Sequence, residues 1–275
     1  MIDMPALVGD AVRSVGLSTA MRAAGAVTGL LPIPQPVLLV GSGASRRLGE
    51  SLGGFGHRRV LLVTDRGVAG LGLHRPLLAG LRVRRVEHVL YDAVGADAPL
   101  ADVERGVALY RARKCDAVVA VGGGSSMDAA KVIASAATNG KSPRQLVGYF
   151  RGLKAPAPIY AVPTTAGTGS EVTVAAVVSD PEAGRKLVIA DSRLVPQMAA
   201  LDPALMAGLP RAITAATGMD ALTHAIEAYL STWAGEHTDR LALAAVATIY
   251  ADLRTVCRNG RDLAARERMS LAASY

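Results

Sequence analysis

Aromatic residues are scarce, 4% of 275 positions, with two Phe and one Trp. A surface for single-stranded nucleic acid needs aromatic platforms set among basic residues, and the chain has no such tract. The formal net charge of +7 is carried mostly by arginines in short scattered clusters such as Arg82, Arg84 and Arg85. That distribution argues against a nucleic-acid partner and fits attraction of small anions. Cysteine is nearly absent. Cys115 and Cys257 stand far apart, so neither a disulfide framework nor a Cys-rich metal site follows. Cys115 opens an apolar run and reads as a core thiol, and sparse cysteine fits a reducing cytoplasm. No apolar run reaches the length of a membrane span, so no membrane partner is expected. The first thirty residues lack a basic stretch followed by an apolar stretch and a cleavage site. They read as a surface helix or ordered arm, residues 1–30, with a transit peptide as the alternative.

What the chain does have is apolar mass, 51% of residues, enough for one large domain or two smaller ones. Pro32, Pro34 and Pro36 separate the arm from a body in which strand and helix patterns alternate. Val60–Thr64 reads as a strand, Gly67–Leu81 as a broken helix, Val83–Leu90 as a strand and Ala98–Ala112 as a helix. Cys115–Val121 and Ile159–Val162 read as buried strands, with a helix from Met127 between them. Val172–Ser179 and Lys186–Ile189 form a hairpin around Asp180–Gly184. Such alternation predicts an α/β fold with a mostly parallel sheet covered on both faces. From Pro210 the pattern is helical only, with helices over 240–256 and 262–273. The expected division is a dinucleotide-binding α/β domain, residues 31–208, followed by a helical segment, residues 209–275.

Gly122-Gly123-Gly124-Ser125-Ser126-Met127-Asp128-Ala129-Ala130-Lys131 is the most informative segment. It leaves a buried strand and starts a helix. Glycines let backbone N–H groups approach a phosphate, and the helix dipole favours the anion. The spacing is neither the Rossmann nor the Walker pattern, and a plain tight turn is the competing reading. Asp128 is expected to bond free N–H groups and brace the loop. Lys131 reads as a solvated or structural charge. The hydroxyl-rich loop Pro163–Glu171 leaves another strand at the edge where ligands sit in open α/β folds. It can bind a nucleotide or simply turn. Asp65, just past a strand end, can accept bonds from a ribose diol or cap the next helix. Asp220 and His224 stand i, i+4 on one helical face, a spacing that suits a divalent ion such as iron or zinc, or a surface pair.

Together these residues resemble the iron-containing (group III) alcohol dehydrogenases. The resemblance runs from about Pro36 to the last residue through Leu62–Asp65, Gly122–Lys131, Pro163–Thr173 and Ala216–Tyr229. It implies a two-domain enzyme with NAD(P) on the α/β domain and a metal in the cleft beside a helical domain. By matched position Asp65 falls at the adenosine ribose, and Gly123, Gly124 and Ser125 at the pyrophosphate. Thr164 and Thr165 flank the adenine and phosphate region, Leu205 lines the adenine side, and Thr173 and Lys186 lie toward the nicotinamide. Asp220 and His224 are the first two metal ligands. Asp97 stands where the family commonly has asparagine; it can still accept a hydrogen bond but adds a negative charge near the cofactor. The family pattern continues past Tyr275 and carries two further metal-binding histidines there. His237 matches neither. On that pattern the 209–275 segment is part of a metal-binding helical domain.

The expected function is NAD-dependent, metal-dependent hydride transfer to or from a small alcohol or aldehyde, with iron ahead of zinc. No side-chain general base can be assigned. A homo-oligomer is compatible with this reading. A catalytically incomplete NAD-binding fragment and a lyase similar to dehydroquinate synthase are the alternatives.

Overall fold

The computed structural model describes residues 34–275; the expected arm and the break at Pro32 lie outside them. A six-stranded parallel sheet forms the centre. Its strands are β1 (Val37–Val40), β2 (Arg59–Val63), β3 (Glu87–Tyr91), β4 (Ala117–Gly122), β6 (Ile159–Pro163) and β9 (Met198–Leu201). Their order in space is β1-β9-β6-β4-β2-β3. A smaller sheet holds β5 (Gly148–Tyr149) beside the antiparallel pair β7 (Ala175–Asp180) and β8 (Arg185–Ala190). The central strands β2 and β4 are buried along almost their whole length, as strands covered on both faces must be.

The helices divide between the two faces. α1 (Ala44–Gly54) and α3 (Arg75–Val83) pack their Leu48, Leu52, Leu77 and Leu81 against Val60, Leu62, Val119 and Val121. On the other face α4 (Leu100–Ala112) and α5 (Gly124–Asn139) bury Val103, Val107, Val132 and Ile133 against Leu61, Val63, Val118 and Ala120. A five-residue helix, α2 (Arg66–Gly70), follows β2. Beyond Pro210 the chain is all helical: α6 (Arg211–Leu230), α7 (Glu236–Arg258) and α8 (Leu263–Ser274). These three enclose their own core, with Ala221, Ala225, Ala245, Ile249 and Met269 at its centre.

The expected fold class is therefore observed. Boundaries differ at several ends. Val83 closes α3 instead of opening a strand, and α4 starts at Leu100, because Asp97 and Ala98 adopt left-handed backbone angles with φ of 57° and 47°. The 67–81 segment is two helices, α2 and α3, separated by Gly72 at φ 70°. Sequence reading missed β1, α1, β5 and β9. Strand β9 is four residues, Met-Ala-Ala-Leu, with little strand character of its own. It is a strand because β1 and β6 flank it, pairing Leu38 and Ala161 with Ala199.

Two glycines set the distance between α1 and α3. A Cβ on Gly80 would strike the Arg46 carbonyl oxygen and come within 2.9 Å of Glu50 N; one on Gly49 would strike the Leu77 carbonyl oxygen. In an open helix Gly→Ala gains about 1 kcal/mol. Overpacking against backbone costs about 1–3 kcal/mol and has no flexible side chain to absorb it. Gly80→Ala should therefore lower stability in urea denaturation, whereas Gly54→Ala, with open space around it, should be neutral or stabilising. Equal effects at the two positions would show that the helices separate freely.

Candidate functional site

Strand order reverses between β2 and β4. The connection after β2 leads through α3 on one face and outward to β3, while β4 leads through α5 on the other face and inward to β6. A crevice opens at their carboxyl ends, where open parallel sheets bind ligands. Thr64 ties the two ends together, its Oγ1 donating to the Val121 carbonyl at 2.6 Å. Asp65 caps α2 by accepting from Val68 N at 2.9 Å. Its Oδ2 faces the glycine turn, 3.7 Å from where a Gly122 Cβ would lie.

Two positions of the turn are crowded. A Cβ on Gly122, at φ 157°, would come within 2.5 Å of Ser126 Oγ; one on Gly124 would lie 2.8 Å from Thr168 Cγ2. Gly123 is the N-cap of α5 and supplies no side-chain cap. The first turn of a sixteen-residue helix thus begins at bare backbone, with its N–H groups free for an anion. Thr165 flanks Gly123, its Oγ1 3.4 Å from the position of a Cβ there. Thr164 is buried, its N–H bonded to the Gly122 carbonyl at 2.9 Å. These contacts fit a pyrophosphate cradled by backbone.

A cleft of about 450 Å³ extends from this turn toward the helices. Gly124, Ser125, Asp97, Thr173 and Lys186 line one part of it, and Asp220 and His224 on α6 line another. Seven of the residues expected from sequence thus share one cavity. Asp65, Gly123, Thr164 and Thr165 lie outside its lining. So does Leu205, which is 6% exposed and packed in the core with α1. Asp220 Oδ1 and His224 Nε2 are 3.7 Å apart and each about half exposed. Carboxylate and imidazole converging on an open cleft fit a divalent ion as two of its ligands. Among the described residues no group of three or more His, Cys, Asp and Glu side chains could hold one.

Beneath the cleft lies a buried polar cluster. Lys131 has no exposed surface, and its Nζ donates to Thr173 O and Oγ1, both at 2.9 Å, and to Ala175 O at 2.8 Å. Of the two expectations for this residue, the solvated one is wrong. The lysine sits in an Ala/Val/Ile helix face turned to the core. Asp128 also departs from expectation: it lies past the first turn of α5 and accepts from Ser170 Oγ at 2.6 Å and Val177 N at 3.0 Å. It braces the loop, but through those partners instead of its own helix. Glu171, a residue given no role from sequence, is buried and accepts from Ser274 Oγ at 2.8 Å. Its signal was present: Asp128 and Lys131 are i, i+3 charges on an otherwise apolar stretch, which demands further buried polar partners. Burial pushes the carboxyls of Asp128 and Glu171 up, and lowers Lys131 to about 8 against the pull of both. Cys115 is buried as expected, and burial pushes its thiol to about 11. That is an inert thiol, not a nucleophile.

Lys131→Met would strip three acceptors of their donor and leave two buried carboxyls without their cation. A loss of about 3 kcal/mol or more is expected in denaturant melts at neutral pH. The pH dependence has a definite sign. Between about 8 and 10.5 the unfolded lysine holds a proton that the folded one has released. In that window this residue makes stability rise with pH. The gap between wild type and Lys131→Met should widen accordingly; a flat gap would place the lysine in solvent.

The sequence profile of iron-containing alcohol dehydrogenases matches residues 35–203, and that of the C-terminal region of the Fe-containing alcohol dehydrogenase family matches residues 214–275. A probable alcohol dehydrogenase, EutG, of Salmonella typhimurium is 41% identical over 238 residues, 86% of this chain and 60% of that protein. The crystal structure of a 1,3-propanediol oxidoreductase superposes with a TM-score of 0.85 at 40% identity, over 89% of this chain and 64% of that one. A sulfoacetaldehyde reductase from Bifidobacterium kashiwanohense, solved in complex with NAD+, gives 0.80 at 30% identity, over 89% and 65%. The chain spans about 60% of the length of the curated relatives it matches.

Proposed function

The chain belongs to the iron-containing alcohol dehydrogenase family, and we propose that it binds NAD in the crevice between β2 and β4 for hydride transfer with a small alcohol or aldehyde. One observation carries this reading: a single cleft joins the uncapped glycine start of α5 to the Asp220–His224 pair. In this reading residues 31–208 hold the dinucleotide and residues 209–275 contribute metal ligands. Gly123, Gly124 and Ser125 take the pyrophosphate, Asp65 the adenosine ribose, and Thr164, Thr165 and Leu205 the adenine side. Thr173 and Lys186 position the nicotinamide half.

Asp220 and His224 would hold a divalent ion, iron ahead of zinc. Such an ion supplies Lewis-acid polarisation of the substrate oxygen. The protein's own part is to orient the nicotinamide against the substrate carbon and to keep the pyrophosphate on fixed backbone dipoles. Two free cysteines are compatible with a reducing cytoplasm. Among the described residues no helix is long and apolar enough to cross a membrane.

Calorimetric titration with NAD and NADP tests the cofactor assignment. With Oδ1 engaged in the α2 cap, Asp65 keeps Oδ2 toward the turn, where it would repel a 2′-phosphate. NAD should bind roughly tenfold or more tightly than NADP, and Asp65→Gly should narrow the ratio. Gly124→Val should weaken NAD binding with a modest change in melting temperature, because the side chain it displaces, Thr168, is exposed. Equal affinity for NAD and NADP, or an undiminished NAD affinity in Gly124→Val, would remove these residues from the site.

The metal assignment has its own test. The 275-residue chain, loaded with Fe(II) or Zn(II) and dialysed, should retain metal well below one equivalent, since two ligands hold a catalytic ion poorly. His224→Ala should abolish what remains. Full retention through dialysis, measured by elemental analysis, would show that further donors join the pair.

A further inference from the structure

The cleft is lined by an ion pair that engages Lys186, a residue assigned above to the nicotinamide half of the dinucleotide. Lys186 Nζ on β8 lies 3.0 Å from Asp97 Oδ1, on the turn that leads from β3 into α4. Both residues line the cavity that begins at Gly124. The two arms are held in register by backbone: Ser179, the strand partner of Lys186, donates its N–H to the Ala98 carbonyl at 3.2 Å. Asp97 is also tied to the first turn of α5, its own N–H donating to Ser125 Oγ at 3.1 Å. The carboxylate therefore sits beside the helix start that an anionic ligand would use, and it holds the cavity's exposed cation.

Charge arithmetic decides what this pair does. A dinucleotide pyrophosphate carries two negative charges. It gains from the α5 N-terminus and from Lys186. With Asp97 in place, Lys186 is already paired, and that pair must open before the lysine can meet a phosphate. Resting on the NAD reading above, we propose that Asp97 sets the affinity of this cleft for dinucleotide by competing with the ligand's phosphates for Lys186. Binding exchanges one anion for another at the lysine. The exchange is feasible because the pair is solvated: the two side chains are 63% and 59% exposed, and exposed pairs hold weakly. The lysine stem is flexible, while Asp97 is fixed by a backbone angle, φ 57°, that Asp and Asn both tolerate. Asn at this position keeps the turn and the N–H bond to Ser125 and removes only the competing charge.

The test is a double-mutant cycle read by calorimetric titration of NAD at low and high salt. Wild type, Asp97→Asn, Lys186→Gln and the double variant are compared. Asp97→Asn should tighten NAD binding about two- to fivefold at low salt, the range an exposed ion pair spans, and the gain should shrink in high salt as screening rises. In the Lys186→Gln background the same substitution should give little gain, since no lysine is released. Detectable binding in Asp97→Asn with none in wild type also supports the competition. Unchanged or weaker binding in Asp97→Asn overturns it. So does a gain that persists without Lys186, which would mean direct repulsion of the phosphates. If no variant binds NAD, the cofactor reading falls and this inference with it; binding by wild type with no gain in Asp97→Asn sinks the competition alone. Melting temperatures of all four proteins should agree closely.

Discussion

The burial of one ammonium group organises this molecule around its cleft. A charged group without solvent must be surrounded by acceptors and opposite charge, or the fold loses several kcal/mol. Lys131 meets that demand by recruiting Thr173 and Ala175, under the pull of Asp128 and Glu171. Those partners belong to α5, the start of β7 and the residues just before it, and the loop that leaves β6. Asp128 adds Ser170 and Val177 to the same cluster. The hydroxyl-rich loop is therefore held from below, and Thr168 is its exposed point.

That arrangement complements the sheet above it. The reversal between β2 and β4 brings two loop ends together without covering them, because their following helices go to opposite faces. Thr64 closes the gap between the strands with a bond to Val121. Glycines then leave only backbone at the start of α5. The Asp220–His224 pair comes from elsewhere in the chain, on α6, and lines another part of the cleft. Each half supplies what the other lacks: fixed dipoles from the sheet side, and a carboxylate and an imidazole from the helices.

Much of this was legible in sequence where the chemistry is local. The glycine run, the loop from Pro163 to Glu171 and the i, i+4 spacing of Asp220 and His224 each describe a short piece of chain whose geometry is set within a few residues. The β7–β8 hairpin was legible for the same reason, through its turn at Asp180–Gly184. What was not legible depends on partners far away. Strand β9 takes its conformation from its neighbours, not from Met-Ala-Ala-Leu. Glu171 meets Ser274 across 103 positions and Lys186 meets Asp97 across 89. Asp128 braces the loop as expected, but its donors come from that loop and from β7 instead of its own helix. Lys131 was left between two readings because a lysine's surroundings cannot be seen until the β7 turn is folded onto its helix.

The last turn of α8 carries a consequence for motion. A Cβ on Gly169 would lie 2.7 Å from the Ala273 carbonyl oxygen, and the next residue, Ser274, bonds Glu171. The helix end rests directly on the loop, with no side chain between them at Gly169. Amide protons in the two segments cannot then be released independently. Lifting α8 uncovers Glu171, and loosening the loop removes the support of the helix. The two behave as one cooperative opening unit although a hundred residues separate them. Local melting at the end of α8 and loss of order in the Pro163–Glu171 loop are the same event.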